Sequence, residues 1–279
     1  MRTFRYFVRI MLLLFLLSGW SCTDEIKTDK STVSPLTEKY SGDLSNDWYK
    51  LLIEIDRYSP GYRPPAASRA FAYIGLAAYE AAVPGMPEHL SLETSFPGLS
   101  IPEFSSTQEH HWGAAVNTAY ATIIRSFYPH IKEAYKAKIN SLEQRYNEIF
   151  SEGASEAAIN NGISFGRSVP INVFNYSETD IMGHDKYKDP RPATYVPPVT
   201  GPNGERLWQP TWPDYTSALF PYWGKVRAFA IKEEDKIARP PIAWSEDPNS
   251  MFYQQAKEIK IWVERSTDQD RWIAEFWSD

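Results

Sequence analysis

The sequence has one cysteine, Cys22, in 279 residues, which excludes an intrachain disulfide and any cysteine-based zinc site. It has no long apolar run either. The longest, Ile10 to Leu17, is eight residues, too short for the roughly 30 Å of a bilayer core. Positive charge is in deficit, with 29 Lys and Arg against 35 Asp and Glu for a net charge of -6, and this argues against a nucleic-acid surface. Glycine-rich phosphate loops and a Gly-x-Ser-x-Gly elbow are missing, which removes the commonest nucleotide and serine-hydrolase signatures. Alternating polar and apolar runs are nearly absent, so little of the chain reads as strand.

The N-terminus is well marked. Arg2, Arg5 and Arg9 precede the eight-residue apolar run, and Ser18-Gly-Trp-Ser21 leads directly into Cys22. This pattern is that of a leader removed before Cys22, and it resembles a bacterial lipoprotein signal with Trp20 standing where a small residue is usual. The resemblance implies a signal peptide over 1–21, lipidation at Cys22 and a membrane anchor through that lipid. It also implies a cell-envelope location, as an outer-membrane lipoprotein facing the periplasm or the cell surface. Residues 22–44, rich in Thr, Ser, Asp, Lys and Glu, read as a flexible tether. One folded region is expected over 45–279.

Helical periodicity dominates that region, and the predicted class is all-α. Ser45 reads as the cap of a first helix carrying Trp48, Leu51, Leu52 and Ile55 on one face. A second helix starts at Pro64-Pro65 and runs to Pro84-Gly85. It is apolar or small on nearly every face, so it belongs at the centre of a bundle. A third places Trp112, Val116, Ala119, Ile123 and Phe127 on one stripe, with Ser105, Ser106 and Thr107 as cap candidates. A fourth spans about 130–150 with Ile131, Tyr135, Ile139, Leu142, Tyr146 and Ile149 inward, and a fifth spans about 155–176 with Pro170 inside. Between 177 and 247 the period is lost, and prolines crowd together with Trp208, Trp212, Trp223 and Trp244. So many aromatics favour an extended segment wrapped over the helices. Helix resumes with Asp247 as cap and Pro248 in the first position. The last thirteen residues open on a capping box, Thr267-x-x-Asp270, and align Trp272, Ile273, Phe276 and Trp277. No C-cap signal follows, and that apolar stripe predicts a packing partner outside the sequence.

Spacing alone points to no chemistry. His110 and His111 are adjacent, hence about 100° apart on a helix, and do not form an i, i+4 metal pair. His184, inside Thr179 to Asp185, reads as part of a turn with solvated polar groups. Arg69 and Glu80 on the second helix share a face about 16 Å apart along the axis, and buried charges need partners, so each is expected in an ion pair with another helix.

Three blocks carry a resemblance. They are Arg63-PPAASRAFAYIGLAAYEAAVPG-85; Gly166-RSVPINVFNYSETDIMGHDKY-187 with Tyr195-VPPV, Leu207-WQPTWP and Pro221-YWGKVRAF; and Trp244-SEDPNSMFYQQAKEI with Ala274-EFWSD. In order and content they resemble vanadium-dependent haloperoxidase-like proteins of the type 2 phosphatidic acid phosphatase superfamily, in the form found in Bacteroidetes lipoproteins. The resemblance implies a helical bundle whose oxyanion site is built in a C-terminal half from Lys-x6-Arg-Pro, Pro-Ser-Gly-His and Ser-Arg-x5-His. It implies vanadate or phosphate there, with haloperoxidase or acid phosphatase activity. No Pro-Ser-Gly-His occurs in this sequence. Lys232-EEDKIA-Arg239-Pro240 meets the first spacing, but Glu233, Glu234 and Asp235 would repel an oxyanion, so Lys232 and Arg239 read as a decoy. The expectation is an N-terminal scaffold without catalytic, cofactor or metal residues of its own, inactive alone, partnered by a C-terminal half or second subunit. The alternative is a complete non-catalytic lipoprotein that binds a ligand such as a glycan through its Trp and Tyr.

Overall fold

A computed structural model describes residues 34–277. Cys22, the leader and most of the tether lie outside the described residues. The all-α class holds: seven α-helices and no strand occur among the described residues, with one isolated bridge, Thr200 to Arg206. They are α1 (Asp43–Arg57), α2 (Pro64–Ala82), α3 (Trp112–Phe127), α4 (Glu133–Ser151), α5 (Glu156–Glu178), α6 (Met251–Arg265) and α7 (Asp268–Trp277). No described helix is long and apolar enough to cross a membrane. The chain forms two compact units, through Trp223 and from Gly224 onward.

In the first unit α3 is the hub, packing against α1, α2, α4 and α5. Thirteen of its sixteen residues are buried, because its surface is small or apolar all round. Helices α3 and α5 approach closely, and glycine permits it. A Cβ on Gly162 would lie 2.5 Å from the His111 carbonyl oxygen. One on Gly166 would fall still deeper inside van der Waals distance of the Ala115 carbonyl oxygen. Helix α5 continues through Pro170, which is buried and cannot supply the N–H that would bond the Gly166 carbonyl.

Asn117, fully buried on α3, ties three helices. Its Oδ1 accepts from Trp48 Nε1 of α1 at 2.9 Å, and its Nδ2 donates to the Glu143 carbonyl at 2.8 Å and to Asn147 Oδ1 at 3.0 Å, both on α4. Trp48 is itself fully buried and stacks on Tyr120 at 6.0 Å.

Several helix starts differ from the sequence expectation. Helix α1 is capped at Gly42, not Ser45, because the Ser41 hydroxyl accepts the Asp43 N–H and turns the chain earlier. Helix α4 starts at Glu133 after Lys132, and Ile149 points outward. Asp247 accepts the Asn249 N–H and builds a turn, so the cap of α6 is Ser250, whose hydroxyl accepts from Tyr253 N–H at 3.1 Å. The capping box of α7 forms as expected: Asp270 Oδ2 accepts the Thr267 N–H and Thr267 Oγ1 accepts the Asp270 N–H.

The segment between α5 and α6 contains only short 3-10 turns. The expected wrapping does not bury most of its aromatics. Trp208, Trp212, Tyr215 and Trp244 are exposed, and Phe220 and Val226 are its buried apolar residues.

Candidate functional site

A group of ionisable and aromatic side chains in the first unit lies where α2 meets the turn after α5. The Gly183 and His184 N–H groups close that turn onto the Asp180 carbonyl at 2.9 and 2.8 Å. A Cβ at Gly183 would collide with Asp180 and Arg69, so glycine is what lets the turn close over the ion pair. Arg69 Nε donates to Asp180 Oδ2 at 3.0 Å and its Nη2 donates to the Ser177 carbonyl at 2.7 Å. Both side chains are buried, and the guanidinium lies 4.7 Å above the Tyr73 ring. Arg69 therefore has the expected buried partner, on the turn after a helix instead of on a helix.

Beside this pair Tyr62 stacks on Tyr128 and on Tyr187, each at 4.4 Å. Its hydroxyl donates to the Phe127 carbonyl, and Tyr128 donates to Asp56 Oδ1 at 2.7 Å. Burial raises the Tyr62 and Tyr128 phenols far above their ordinary value, and it raises the Asp56 carboxyl while the Tyr128 hydroxyl pulls it back. His184 does sit in a turn, but its ring is half-buried, not solvated. Its Nε2 is 3.6 Å from Asp185 and 3.8 Å from Glu178. Burial is the largest influence on it and lowers its pKa.

This cluster does not fit an oxyanion. The cavity it encloses is about 20 Å³, room for about one water. Two of the Arg69 nitrogens are engaged by protein acceptors, and the Asp180 and Asp185 carboxylates oppose an anion. Lys232 and Arg239 fit no better. Both are exposed, the Lys232 N–H is taken by Asp235, and its ammonium is 3.7 Å from Glu234. Among the described residues no group of three His, Cys, Asp or Glu is placed to hold a metal ion.

The adjacent histidines have structural uses. His110 Nδ1 lies 2.9 Å from the Gln108 carbonyl. His111 is the N-cap of α3, in place of the expected Ser105 to Thr107, and its Nδ1 accepts the Ala114 N–H at 3.0 Å. Histidine is an uncommon cap, which is why the sequence did not disclose it. That nitrogen must be unprotonated to accept, and burial lowers the His111 pKa. A depressed histidine is fully stabilising above its unfolded value of about 6.5, and the contribution is lost as pH falls through the folded value. The midpoint of thermal unfolding should therefore drop on acidification below about pH 6.5. His111→Asn, which keeps a capping oxygen, should weaken that dependence and preserve the roughly 1 kcal/mol of a cap; pH-resolved calorimetry measures both.

Glu80 departs from expectation. It has no cationic partner among the described ion pairs; its Oε1 accepts the Leu92 N–H at 2.7 Å.

No family model and no curated protein matches the chain. Among solved structures it is similar to one described as the first bacterial vanadium-dependent iodoperoxidase, with a TM-score of 0.61 and 26% identity. The match covers 84% of this chain and 55% of that one, so the chain spans just over half the length of its structural neighbour. The helices and their packing thus constitute a vanadium haloperoxidase-like fold.

Proposed function

We propose that this chain is the N-terminal helical scaffold of a vanadium haloperoxidase-like or acid phosphatase-like lipoprotein, with an oxyanion site built by a C-terminal half. The observation that carries the reading is the asymmetric match, 84% of this chain against 55% of the neighbour, together with the misfit of the Arg69 cluster and of Lys232 and Arg239 to an oxyanion. Helices α6 and α7 support it. They contain no buried residue, and Trp262 is 69%, Trp272 66% and Trp277 79% exposed. Such an apolar surface suits a docking face, here for that C-terminal half. Acylation of Cys22 would hold the assembly at the envelope membrane.

The 279-residue chain, purified and supplied with vanadate, is expected to oxidise neither iodide nor bromide with hydrogen peroxide and to hydrolyse no phosphomonoester above buffer. Turnover in either assay would overturn the scaffold reading. A second reading, a non-catalytic glycan-binding protein, is favoured by exposed Trp208 and Trp212. Specific retention on immobilised glycans, abolished by Trp212→Ala, would support it.

A further inference from the structure

Three non-glycine residues among those described have positive φ, and two of them, Asp185 (φ 59°) and Phe220 (φ 47°), line one cavity. Aspartate tolerates the left-handed region, but a phenylalanine there is strained and must be held by its surroundings. The Phe220 N–H donates to the Pro190 carbonyl at 2.8 Å, and its buried ring packs on Trp223 at 5.1 Å. Close by in the chain, Arg191 Nη1 donates to the Ser217 carbonyl. The stretch over 217–223 is thereby fixed to the stretch over 185–191, and the cavity that both line is pre-formed, which lowers the cost of binding. Its volume is about 320 Å³, at the lower end of small-molecule sites.

The charges of this lining are unevenly committed. Asp185 is paired with Lys188 at 2.6 Å and lies 3.6 Å from His184 Nε2. Lys186 and Asp189 are likewise three residues apart, at the two ends of the same 3-10 turn, where such residues lie nearly one above the other. Both line the cavity, yet no hydrogen bond or ion pair engages either side chain among the described residues. Lys186 is partly exposed and Asp189 exposed, so both are within reach of a ligand. The cavity thus offers one uncommitted ammonium and one uncommitted carboxylate, and the rest of its wall includes Phe220, Tyr222 and Trp223.

We propose that this cavity binds an aromatic α-amino acid as its zwitterion, the ammonium donating to Asp189, the carboxylate accepting from Lys186 and the ring lying against Trp223. A ligand with a single charge would satisfy one of the two side chains and bring a like charge to the other. A neutral sugar could stack on Trp223, but it would leave both charges uncompensated. An α-amino acid carries its two opposite charges on one carbon, so it forms charge-assisted hydrogen bonds to both side chains at once. Its ring then covers apolar wall and gains the aromatic contact. This site is independent of the scaffold reading.

The test is calorimetric titration of the full chain at pH 7.5 with L-phenylalanine, with 3-phenylpropionate, which lacks the ammonium, and with 2-phenylethylammonium, which lacks the carboxylate. The amino acid is expected to bind at least tenfold more tightly than either analogue, a comparison that needs no variant. Asp189→Asn should weaken L-phenylalanine at least fivefold without weakening 3-phenylpropionate, and Lys186→Gln should do so without weakening 2-phenylethylammonium. The turn is closed by the Asp189 N–H on the Lys186 carbonyl, which neither substitution touches, and circular dichroism checks both folds. No binding of L-phenylalanine to the wild type at millimolar concentration, equal affinity for the three ligands, or an equal loss for all three in either variant would each overturn the proposal. Binding of a neutral oligosaccharide that Trp223→Ala abolishes, with no binding of the amino acid, would overturn it in favour of a sugar.

Discussion

Asp180→Ala should destabilise the first unit by about 3–5 kcal/mol, the cost of leaving one member of a buried ion pair alone. The Arg69 guanidinium cannot turn to water when its carboxylate is lost, because its side chain is buried. Its Nη2 is held by the Ser177 carbonyl and its guanidinium face by Tyr73. The freed Nε would have no acceptor, and the turn closed on the Asp180 backbone would lose the side chain that fixes it to α2. Since a whole domain is stable by only about 5–15 kcal/mol, the variant should sit near its unfolding threshold at room temperature. Urea unfolding read by tryptophan fluorescence measures the loss. The double variant Arg69→Met, Asp180→Leu should recover most of it, because removing both charges removes the desolvation cost as well. A loss below about 1 kcal/mol in the single variant would show the pair to behave as a solvated one.

The second large effect is expected at Gly166. Substitution by valine places a branched side chain against the Ala115 carbonyl oxygen, where even a Cβ does not fit. Flexible neighbours can rotate away from an added methyl, but a carbonyl inside a helix cannot, so α3 and α5 must separate. Overpacking usually costs about 1–3 kcal/mol, and a clash with backbone belongs at or above the top of that range. Because α3 packs on four other helices, the separation should be felt throughout the first unit. A fall in thermal midpoint for Gly166→Val well beyond that for Gly166→Ala would locate the effect in volume. Equal midpoints for wild type and valine variant would refute the close approach.

How much of this was legible in the sequence depends on the range of the interaction. Helix α3 carries a periodic apolar stripe and α2 is bounded by Pro64-Pro65 and Pro84-Gly85, so local signals were enough to place both. The starts of α1, α3 and α6 were harder, because Ser41 and Asp247 spend their oxygens on turns and a histidine caps α3. Arg69 was identifiable as needing a partner, but Asp180 lies 111 residues away and only the closed bundle brings it near. Glu80 misled for a related reason. Its partner is a backbone N–H in an aperiodic segment, and no side-chain pattern reveals where a main-chain donor will point. The spacing of Lys232 and Arg239 matches a motif while the carboxylates of Glu233, Glu234 and Asp235 between them oppose an anion, which shows how little spacing says without charge. The aromatics between α5 and α6 suggest a segment wrapped over the helices, yet most of its tryptophans are exposed, since composition measures how apolar a segment is and not whether a surface is available to cover it.

Asn117 has a consequence of a different kind. Its amide has one arrangement in which every atom is used: oxygen toward the indole of Trp48, nitrogen toward Glu143 and Asn147. Sliding α4 along α3 by one turn, about 5.4 Å, would keep hydrocarbon against hydrocarbon and barely change the apolar area covered. It would nevertheless strand the amide hydrogens. The residue acts as a key for register, discriminating the native alignment from its near neighbours. A leucine there would preserve stickiness while surrendering uniqueness.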